Sequence, residues 1–317
     1  MLHYQFGDLE LLRFGYAKMG KMSIKEHPPL HVPVLLNDTL RLLDPKIGEN
    51  YLDLTAGYGG HAGEILAKTK NYEDSCLVDR DEFAIANLEQ FERRGVRLLH
   101  TDFLQAAQQL VREGTQFSLI LLDLGVSSPQ LDRAERGFSF TNNGPLDMRM
   151  DARQSRTAER VVNKWSKDEL VRIFREYGEE PHKAAHMYAD AIYKHRPLHT
   201  TEELADTIKQ AYRGPWRKTH PATRVFQAIR IAVNDELGQV EQAMPLLPGL
   251  LKPGGRLGVI SFHSLEDRIV KQYFAEQKAS GYEAELDILT THPVLGEISD
   301  VHNPRSRSAK LRVAVKK

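Results

Sequence analysis

Short apolar segments alternate with amphipathic segments along the first part of the chain. Each apolar segment is short enough for a strand, and the amphipathic segments between them repeat their apolar residues at helical spacing. Strands that alternate with helices predict a mainly parallel, doubly wound α/β sheet with helices on both faces. The predicted strands are NYLDLTA, SCLVDRD, VRLLHTDF, FSLILLDLGVSS and, much later, GRLGVISFHS.

The pattern changes after Ser128, where a charged and histidine-rich stretch takes over with mostly helical spacing. One helix in this stretch is predicted to begin at a capping box formed by Ser166 and Glu169. ATRVFQAIRIAVNDELGQVEQAMPLLPGLL is then predicted to be one long helical stretch, followed by a Pro-Gly-Gly turn before the fifth strand. We therefore predict a flexible extension over residues 1–26, a sheet domain from 27–136 and 222–317, and an inserted all-α domain over 137–221.

Composition restricts the class of protein. Hydrophobic residues make up 41% and charged residues 27%, as in an ordinary soluble globular protein. No run approaches the roughly 18 to 20 apolar residues of a membrane-spanning helix. The single cysteine, Cys76, excludes a disulfide framework and fits a reducing cytoplasm. We expect a cytoplasmic protein with no membrane contact, and the absence of an evident metal-ligand cluster predicts no catalytic metal.

Carboxylates and glycines follow the predicted strands. Ligands of open parallel sheets bind beyond the carboxyl ends of the strands, and glycines there let backbone N–H groups approach a ligand. A single aspartate at such a place is more often a helix cap, and a histidine in a first helical turn is more often a surface residue, but coincidence explains four consecutive strand ends poorly. The candidates are Asp53, Gly57, Gly59, Gly60 and His61 after strand one, Asp79 after strand two, Asp102 and Phe103 after strand three, Asp123, Ser127 and Gln130 after strand four, and Ser261, Phe262 and His263 after strand five.

The glycine loop fits two cofactors. GYGGHA matches the G-x-G-x-x-A pattern of dinucleotide sites, and the same layout suits a loop around the methionine end of S-adenosylmethionine (SAM). Asp53, shortly before Gly57, can accept from the methionine amino group of SAM but would repel a pyrophosphate. The Pro-Gly-Gly turn before the fifth strand is also typical of SAM-dependent methyltransferases. Both features favour SAM.

Several long motifs then resemble the RsmH (MraW) family, bacterial methyltransferases of one cytidine N(4) amine in 16S ribosomal RNA. The resemblance runs from about His31 to the C-terminus, and it implies a Rossmann-like SAM-dependent domain with an inserted helical domain. Carried over motif by motif, it implies SAM contacts at Gly59, Gly60, His61, Asp79, Phe103, Asp123 and Gln130. The matching motifs are HVPVLLND, DLTAGYGGHAGEIL, VDRD, LLDLGVSSPQLD, RGFSF with GPLDMRMD, KPGGRLGVISFHSLEDRIVK and NPRSRSAKLRV.

Methylation of an exocyclic amine needs an acceptor for the amine hydrogens. Enzymes of this kind commonly carry an Asp/Asn-Pro-Pro-aromatic tetrapeptide after strand four, whereas this chain has SSPQ. The candidates for positioning the amine are therefore Asp123, the backbone at Ser127 and Ser128, and His263, and the sequence does not rank them. Methylation at carbon five of cytosine would need a cysteine nucleophile. Cys76 lies at the amino end of its predicted strand, away from the carboxyl ends where ligands bind.

Two segments without acidic residues are candidate RNA contacts, although formal net charge is zero. The expected partner is 16S ribosomal RNA in the small subunit. Three alternative functions stay open: an NAD-dependent oxidoreductase, a methyltransferase of small molecules or proteins, and a non-catalytic RNA-binding module. The candidate contacts are Arg213, Trp216, Arg217, Lys218 and Arg224 in the first segment and Arg305, Arg307 and Lys310 in the second.

Overall fold

The computed structural model describes residues 33–215 and 219–317. The predicted extension and three of the predicted RNA contacts, Trp216, Arg217 and Lys218, lie outside these ranges. In the described part, the strands are β1 Tyr51–Asp53, β2 Cys76–Asp79, β3 Arg97–His100, β4 Phe117–Asp123, β5 Leu251–Ser261, β6 Leu286–Ile288, β7 Val294–Leu295 and β8 Lys310–Lys316.

These strands form one mixed sheet. Its order is β3-β2-β1-β4-β5-β8-β6, and β7 pairs with β8. The first five strands are parallel neighbours, whereas β8 is antiparallel to β5, β6 and β7. The predicted mainly parallel α/β class is confirmed, and the carboxyl ends of β1 to β5 meet at one edge of the sheet, called the carboxyl edge below.

Helices cover both faces of the sheet. They are α1 Leu36–Leu43, α2 Gly60–Thr69, α3 Glu82–Glu92, α4 Phe103–Glu113, α5 Ser128–Asp132, α6 Ala158–Lys164, α7 Lys167–Glu176, α8 His182–His195, α9 Thr201–Ala211, α10 Ala222–Asn234, α11 Glu236–Ala243, α12 Ser264–Ala279 and α13 Gly296–Ser299. Neighbouring strand residues point to opposite faces, so Leu77 joins the apolar cluster under α1, α2 and α3. Cys76 and Val78 join the cluster under α4, α11 and α12. The sheet is therefore doubly wound.

A third apolar cluster lies among helices α6 to α10. It includes the buried side chains Phe174, Tyr188 and Ile229, and it begins at Phe138 and ends at Val233. Helix α10 thus packs with the helices of the predicted insert, although the sequence assigned it to the sheet domain. The boundaries of that insert stay a prediction.

Two local predictions are wrong. The long helical stretch is broken at Asp235, which has a left-handed φ of 51° and separates α10 from α11. The Pro-Gly-Gly turn does not precede the fifth strand, because β5 already begins at Leu251. Phe117 pairs with Leu251, and Leu119 pairs with Arg256. The Pro-Gly-Gly residues between these two pairs therefore form a bulge within β5.

The C-terminal segment is part of the sheet rather than a free arm. Lys310–Lys316 forms β8 between β5 and β6. Arg312 in this strand is buried, and its Nε donates to Asp267 Oδ1 at 2.8 Å. The alternation of apolar and basic residues in KLRVAVK is typical of a strand, but the basic residues were interpreted as RNA contacts. Among the described residues, no helix is both long enough and apolar enough to cross a membrane.

Candidate active site

Asp53 ends β1 and is almost completely buried. Its carboxylate accepts from the Tyr51 hydroxyl at 2.7 Å and from the Thr55 N–H at 3.1 Å. Burial raises the pKa of Asp53 to about 7, although these two hydrogen bonds favour the ionised form. A buried carboxylate held this way can accept from a cationic group.

The glycines after Asp53 allow a tight turn into α2. Gly59 has φ 80°, and a Cβ there would lie 2.5 Å from Cε2 of Phe91. A Cβ on Gly60 would similarly meet the Pro33 ring. The N–H of Gly57 donates to Asp79 at 2.8 Å, and a Cβ there would have open space beyond Thr55. Close packing therefore requires glycine at positions 59 and 60, whereas position 57 is not closely packed.

His61 is buried, not a surface residue. Its Nε2 lies 3.0 Å from the Val34 carbonyl oxygen and its Nδ1 lies 3.6 Å from Asp123 Oδ2. The residue thus connects the glycine loop with the end of β4, which the position of His61 in the sequence did not indicate.

Asp79 ends β2 and is turned into the same edge. Its two oxygens accept from the N–H groups of Gly57 and Asp81, both at 2.8 Å. Burial raises the pKa of Asp79 despite these bonds. The carboxylate lies beside the glycine loop, where the sequence predicted a contact to ribose hydroxyls; that contact stays a prediction.

The third strand end carries a cap and an apolar residue. Asp102 is the N-cap of α4, accepting from the Gln105 N–H at 2.8 Å, so its carboxylate has the ordinary role of a lone aspartate at a helix start. Phe103 is buried in the cluster under α4. Neither position is tested as a cofactor contact.

Gln130 is buried and holds the loop after β4. Its Oε1 accepts from the Ser127 N–H at 2.9 Å and its Nε2 donates to Asp81 at 2.7 Å. Arg136 binds the same Asp81 oxygen at 2.8 Å. The amide of Gln130 therefore connects the loop of Ser127 to the loop after β2, and the sequence alone gave no sign of this arrangement.

Asp123 ends β4 at the centre of the carboxyl edge. Its Oδ1 is buried with no hydrogen-bond partner in the described part of the chain. Burial, and then the charges of Asp53 and Glu266, raise its pKa well above the usual range. A carboxylate in this state is suited to a positively charged ligand. The sulfonium and ammonium groups of SAM fit these requirements, so the residues present are compatible with SAM.

His263 lies just beyond β5 as the N-cap of α12. Its Nδ1 is 3.4 Å from the Glu266 N–H, and its Nε2 faces Glu266 Oε1 at 3.2 Å. Glu266 is buried; burial opposes its ionisation, but His263 and Arg230 lower its pKa overall. The imidazole is thus turned into the protein toward Glu266.

Glu236 completes this cluster, which sequence reasoning missed because its members are far apart in the chain. One ligand atom each of Glu236, His263 and Glu266 lies within 4.8 Å of the others, a spacing compatible with a metal ion. Arg230 already binds both oxygens of Glu236, at 2.9 and 2.8 Å. A guanidinium therefore supplies positive charge at this cluster.

The predicted RNA contacts that are described differ in their pairing. Arg305 binds Asp132 at 3.0 Å, and Lys310 binds Asp267 at 3.1 Å. Arg213 and Arg224 are exposed and donate to backbone carbonyl oxygens. Arg307 is exposed and has no ion pair within residues 33–215 and 219–317. These residues stay predictions.

Comparison with known proteins gives consistent matches. Ribosomal RNA small subunit methyltransferase H of Synechocystis is 46% identical over 316 residues, covering 95% of this chain and 99% of the relative. The enzyme of that name from Heliobacterium mobile is 44% identical over 310 residues, covering 90% and 98%. The solved structure of the N-methyltransferase NodS from Bradyrhizobium japonicum aligns with a TM-score of 0.40 at 12% identity, covering 89% and 93%. The model of the MraW methylase family matches residues 29–317, and the chain therefore belongs to that family.

Proposed function

We propose that this methylase transfers a methyl group from SAM to the exocyclic N(4) amine of one cytidine in 16S ribosomal RNA, in the decoding region of the small subunit. Membership of the MraW family confirms the predicted methyl donor. The names of the relatives support small-subunit ribosomal RNA as the substrate class. The cytosine amine, the decoding region and a cytoplasmic location belong to the proposal.

The observation that carries the proposal is the buried, unpartnered Oδ1 of Asp123 at the carboxyl edge. The N(4) lone pair of cytosine is delocalised into the ring, and an acceptor for the amine hydrogens helps to localise it. Bound SAM supplies the methyl group and a positive charge, which favours the ionised form of Asp123. Asp123 can then accept from the amine and direct it toward the methyl group.

The other two candidates have supporting roles. The Nδ1 of His263 accepts from the Glu266 N–H as the N-cap of α12, so this residue has a structural role in the turn after β5. Ser127 is the N-cap of α5 in the loop after β4, and its backbone together with that of Ser128 can border the base. Asp123 is the only carboxylate among the three candidates, and its Oδ1 has no hydrogen-bond partner among the described residues.

Methylation at carbon five is disfavoured by the state of the only cysteine. Cys76 is the first residue of β2 and therefore lies at the edge opposite Asp123. It is buried, and burial raises the pKa of its thiol to about 12. A thiol in this position cannot attack a base bound at the carboxyl edge.

Nucleoside mass spectrometry tests the substrate. Small subunits from a strain lacking the gene are incubated with the purified protein and methyl-labelled SAM, and the 16S RNA is digested to nucleosides. We expect labelled N(4)-methylcytidine at a single position. Label at carbon five, label in another RNA, or no label in any nucleoside would overturn the proposal.

A matched pair of arginines tests the RNA contact. Replacing the unpaired Arg307 with alanine is expected to weaken binding to small-subunit RNA and to reduce the salt slope of the affinity by about 1. Arg305→Ala is the control, with a smaller expected change because Asp132 already neutralises that charge. Equal slopes in wild type and Arg307→Ala would remove Arg307 from the interface.

A further inference from the structure

Phe262 is a partly buried aromatic side chain at the carboxyl edge. Asp123 pairs with Ile260 across β4 and β5, so Phe262 lies just beyond the strand end that faces Asp123. Its ring packs against the apolar cluster under α1, α2 and α3.

Phe262 and the predicted SAM-binding loops lie on opposite sides of Asp123 along the carboxyl edge. The strand order is β3-β2-β1-β4-β5, and the glycine loop and Asp79, which are predicted SAM contacts, follow β1 and β2. Asp123, after β4, lies between those loops and Phe262, which follows β5. An acceptor for the amine thus has the cofactor loops on one side and an aromatic ring on the other.

The ring of Phe262 lies against the loop that follows β4. Gly125 has φ 102°, and a Cβ built on it would lie 3.3 Å from Cδ2 of Phe262. The loop itself, from Leu124 to Gln130, contains no aromatic residue. The ring of Phe262, from the neighbouring strand end, supplies an aromatic surface beside that loop.

A buried polar network holds the backbone of Phe262. Glu266 accepts from the N–H of Phe262 at 2.8 Å and from that of His263 at 3.2 Å through one oxygen. Its second oxygen faces the His263 ring, and the Arg230–Glu236 pair closes the cluster. Two hydrogen bonds to one oxygen of the buried Glu266 therefore hold the backbone of this turn in place.

We propose that the Phe262 ring is the surface on which the target cytosine stacks while its amine faces Asp123. The inference rests on the proposed function, since it takes cytosine as the substrate. A base that leaves its RNA stack loses its neighbours, and an aromatic ring replaces them in a sequence-tolerant way. A rigid ring does so without being ordered at the moment of binding.

Steady-state methylation of small subunits by Phe262 variants tests the proposal. Phe262→Leu keeps an apolar side chain in the cluster but removes the aromatic face, and kcat/KM is expected to fall about 10- to 100-fold. Phe262→Tyr keeps that face and is expected to stay within about threefold of wild type. The dissociation constant of SAM, measured by calorimetry, is expected to be unchanged in both.

Tyr72→Leu is the matched control. Tyr72 is a partly buried aromatic residue that packs against the same cluster, before β2 at the opposite edge. It should leave kcat/KM unchanged. If Phe262→Leu does not fold, Phe262→Met gives the same comparison with another flexible apolar side chain.

The outcomes separate the two proposals. Equal kcat/KM in Phe262→Leu and wild type would overturn the stacking role, and so would equal losses in the leucine and tyrosine variants, because both would then reflect packing. Absence of labelled N(4)-methylcytidine with wild-type protein would instead overturn the proposed function, whatever the order of the variants.

Discussion

Acidic side chains at the two edges of the sheet meet opposite environments. The amino edge is the opposite end of the sheet, where the amino ends of β1 to β5 lie. There Arg97 binds both oxygens of Glu113, at 2.6 and 2.9 Å, and Arg256 binds Glu49. The hydrogen bond from Arg97 is the main reason that the pKa of Glu113 falls to about 2. Each acid here has a cation of its own.

At the carboxyl edge, Asp53, Asp79 and Asp123 are enclosed by protein without such a cation. Within residues 33–215 and 219–317, no arginine or lysine forms an ion pair with any of the three, although His61 lies 3.6 Å from Asp123. Burial raises the pKa of all three carboxyl groups. Buried carboxylates without counter-charges reduce the stability of the fold.

The difference separates acids that stabilise the fold from acids that serve a ligand. The amino-edge acids are complete in the free protein. We expect those at the carboxyl edge to be completed by a ligand that brings positive charge, as SAM does. Stability and function should therefore respond in opposite directions to substitutions at the carboxyl edge, and this contrast can be tested.

The largest effect is expected for Asp123→Asn. The side chain keeps its shape but can no longer act as an anionic acceptor, and the methyl-transfer rate should fall about 10²–10⁴-fold. Without SAM at pH 8, the free energy of unfolding of the same variant should be about 1–3 kcal/mol higher, because it lacks the carboxyl group whose ionisation burial opposes. Single-turnover kinetics and urea unfolding measure the two quantities.

Glu113→Gln is the control at the amino edge, where it should leave the methyl-transfer rate unchanged. An Asp123→Asn protein that is both fully active and less stable than wild type would contradict the contrast between the two edges.

The next largest effect is a pH dependence of SAM affinity. Asp53 has a pKa of about 7 when folded against 3.8 as its ordinary value, so it is mostly protonated at pH 6 and mostly ionised at pH 8. The predicted contact between Asp53 and the SAM amino group requires the ionised carboxylate, so the affinity for SAM should rise about tenfold from pH 6 to pH 8. Calorimetry across this range measures it, and Asp53→Asn should give a weak, flat profile.

The sign of the stability change follows from the same shift. The folded state holds the Asp53 proton between pH 4 and pH 7 while the unfolded state releases it, so stability falls as the pH rises through this window. Asp53→Asn should therefore gain most over wild type above pH 7. A gain confined to pH below 4 would be inconsistent with this explanation.

A smaller effect is expected at Gly59. Alanine there would place a Cβ against Phe91 in a left-handed conformation, which should lower the free energy of unfolding by about 1–3 kcal/mol. Gly249→Ala is the control, because it has open space and no left-handed φ. Denaturant unfolding of both variants measures the difference, and equal stabilities would argue against strain in the loop.

The smallest effect on activity is expected for Cys76→Ala. The thiol lies at the amino edge, so methyl transfer should be unchanged, with a stability loss of about 1 kcal/mol from the lost packing. The native protein should also resist thiol reagents until it unfolds, because the thiol is buried with a raised pKa. An inactive Cys76→Ala protein with normal stability would reopen methylation at carbon five.

The sequence by itself determined the alternation of strands and helices, and with it the parallel part of the sheet. Asp53, Asp79 and Asp123 were predictable as edge residues because a parallel sheet brings the ends of its strands together. The cofactor was predicted from Asp53 before the glycine loop and from the Pro-Gly-Gly motif, although that motif lies within β5 and not before it. These features depend on local spacing, which a sequence displays directly.

Only the tertiary structure decided which of these residues still have a free atom. In the folded chain, His263 faces Glu266, and Asp102 is a helix cap. The segment KLRVAVK is a strand of the sheet, and Glu236 and Arg230 lie at the turn of Phe262. Such contacts join residues far apart in the chain, and their formation depends on burial and competition for hydrogen-bond partners. Both arise only when the chain is packed.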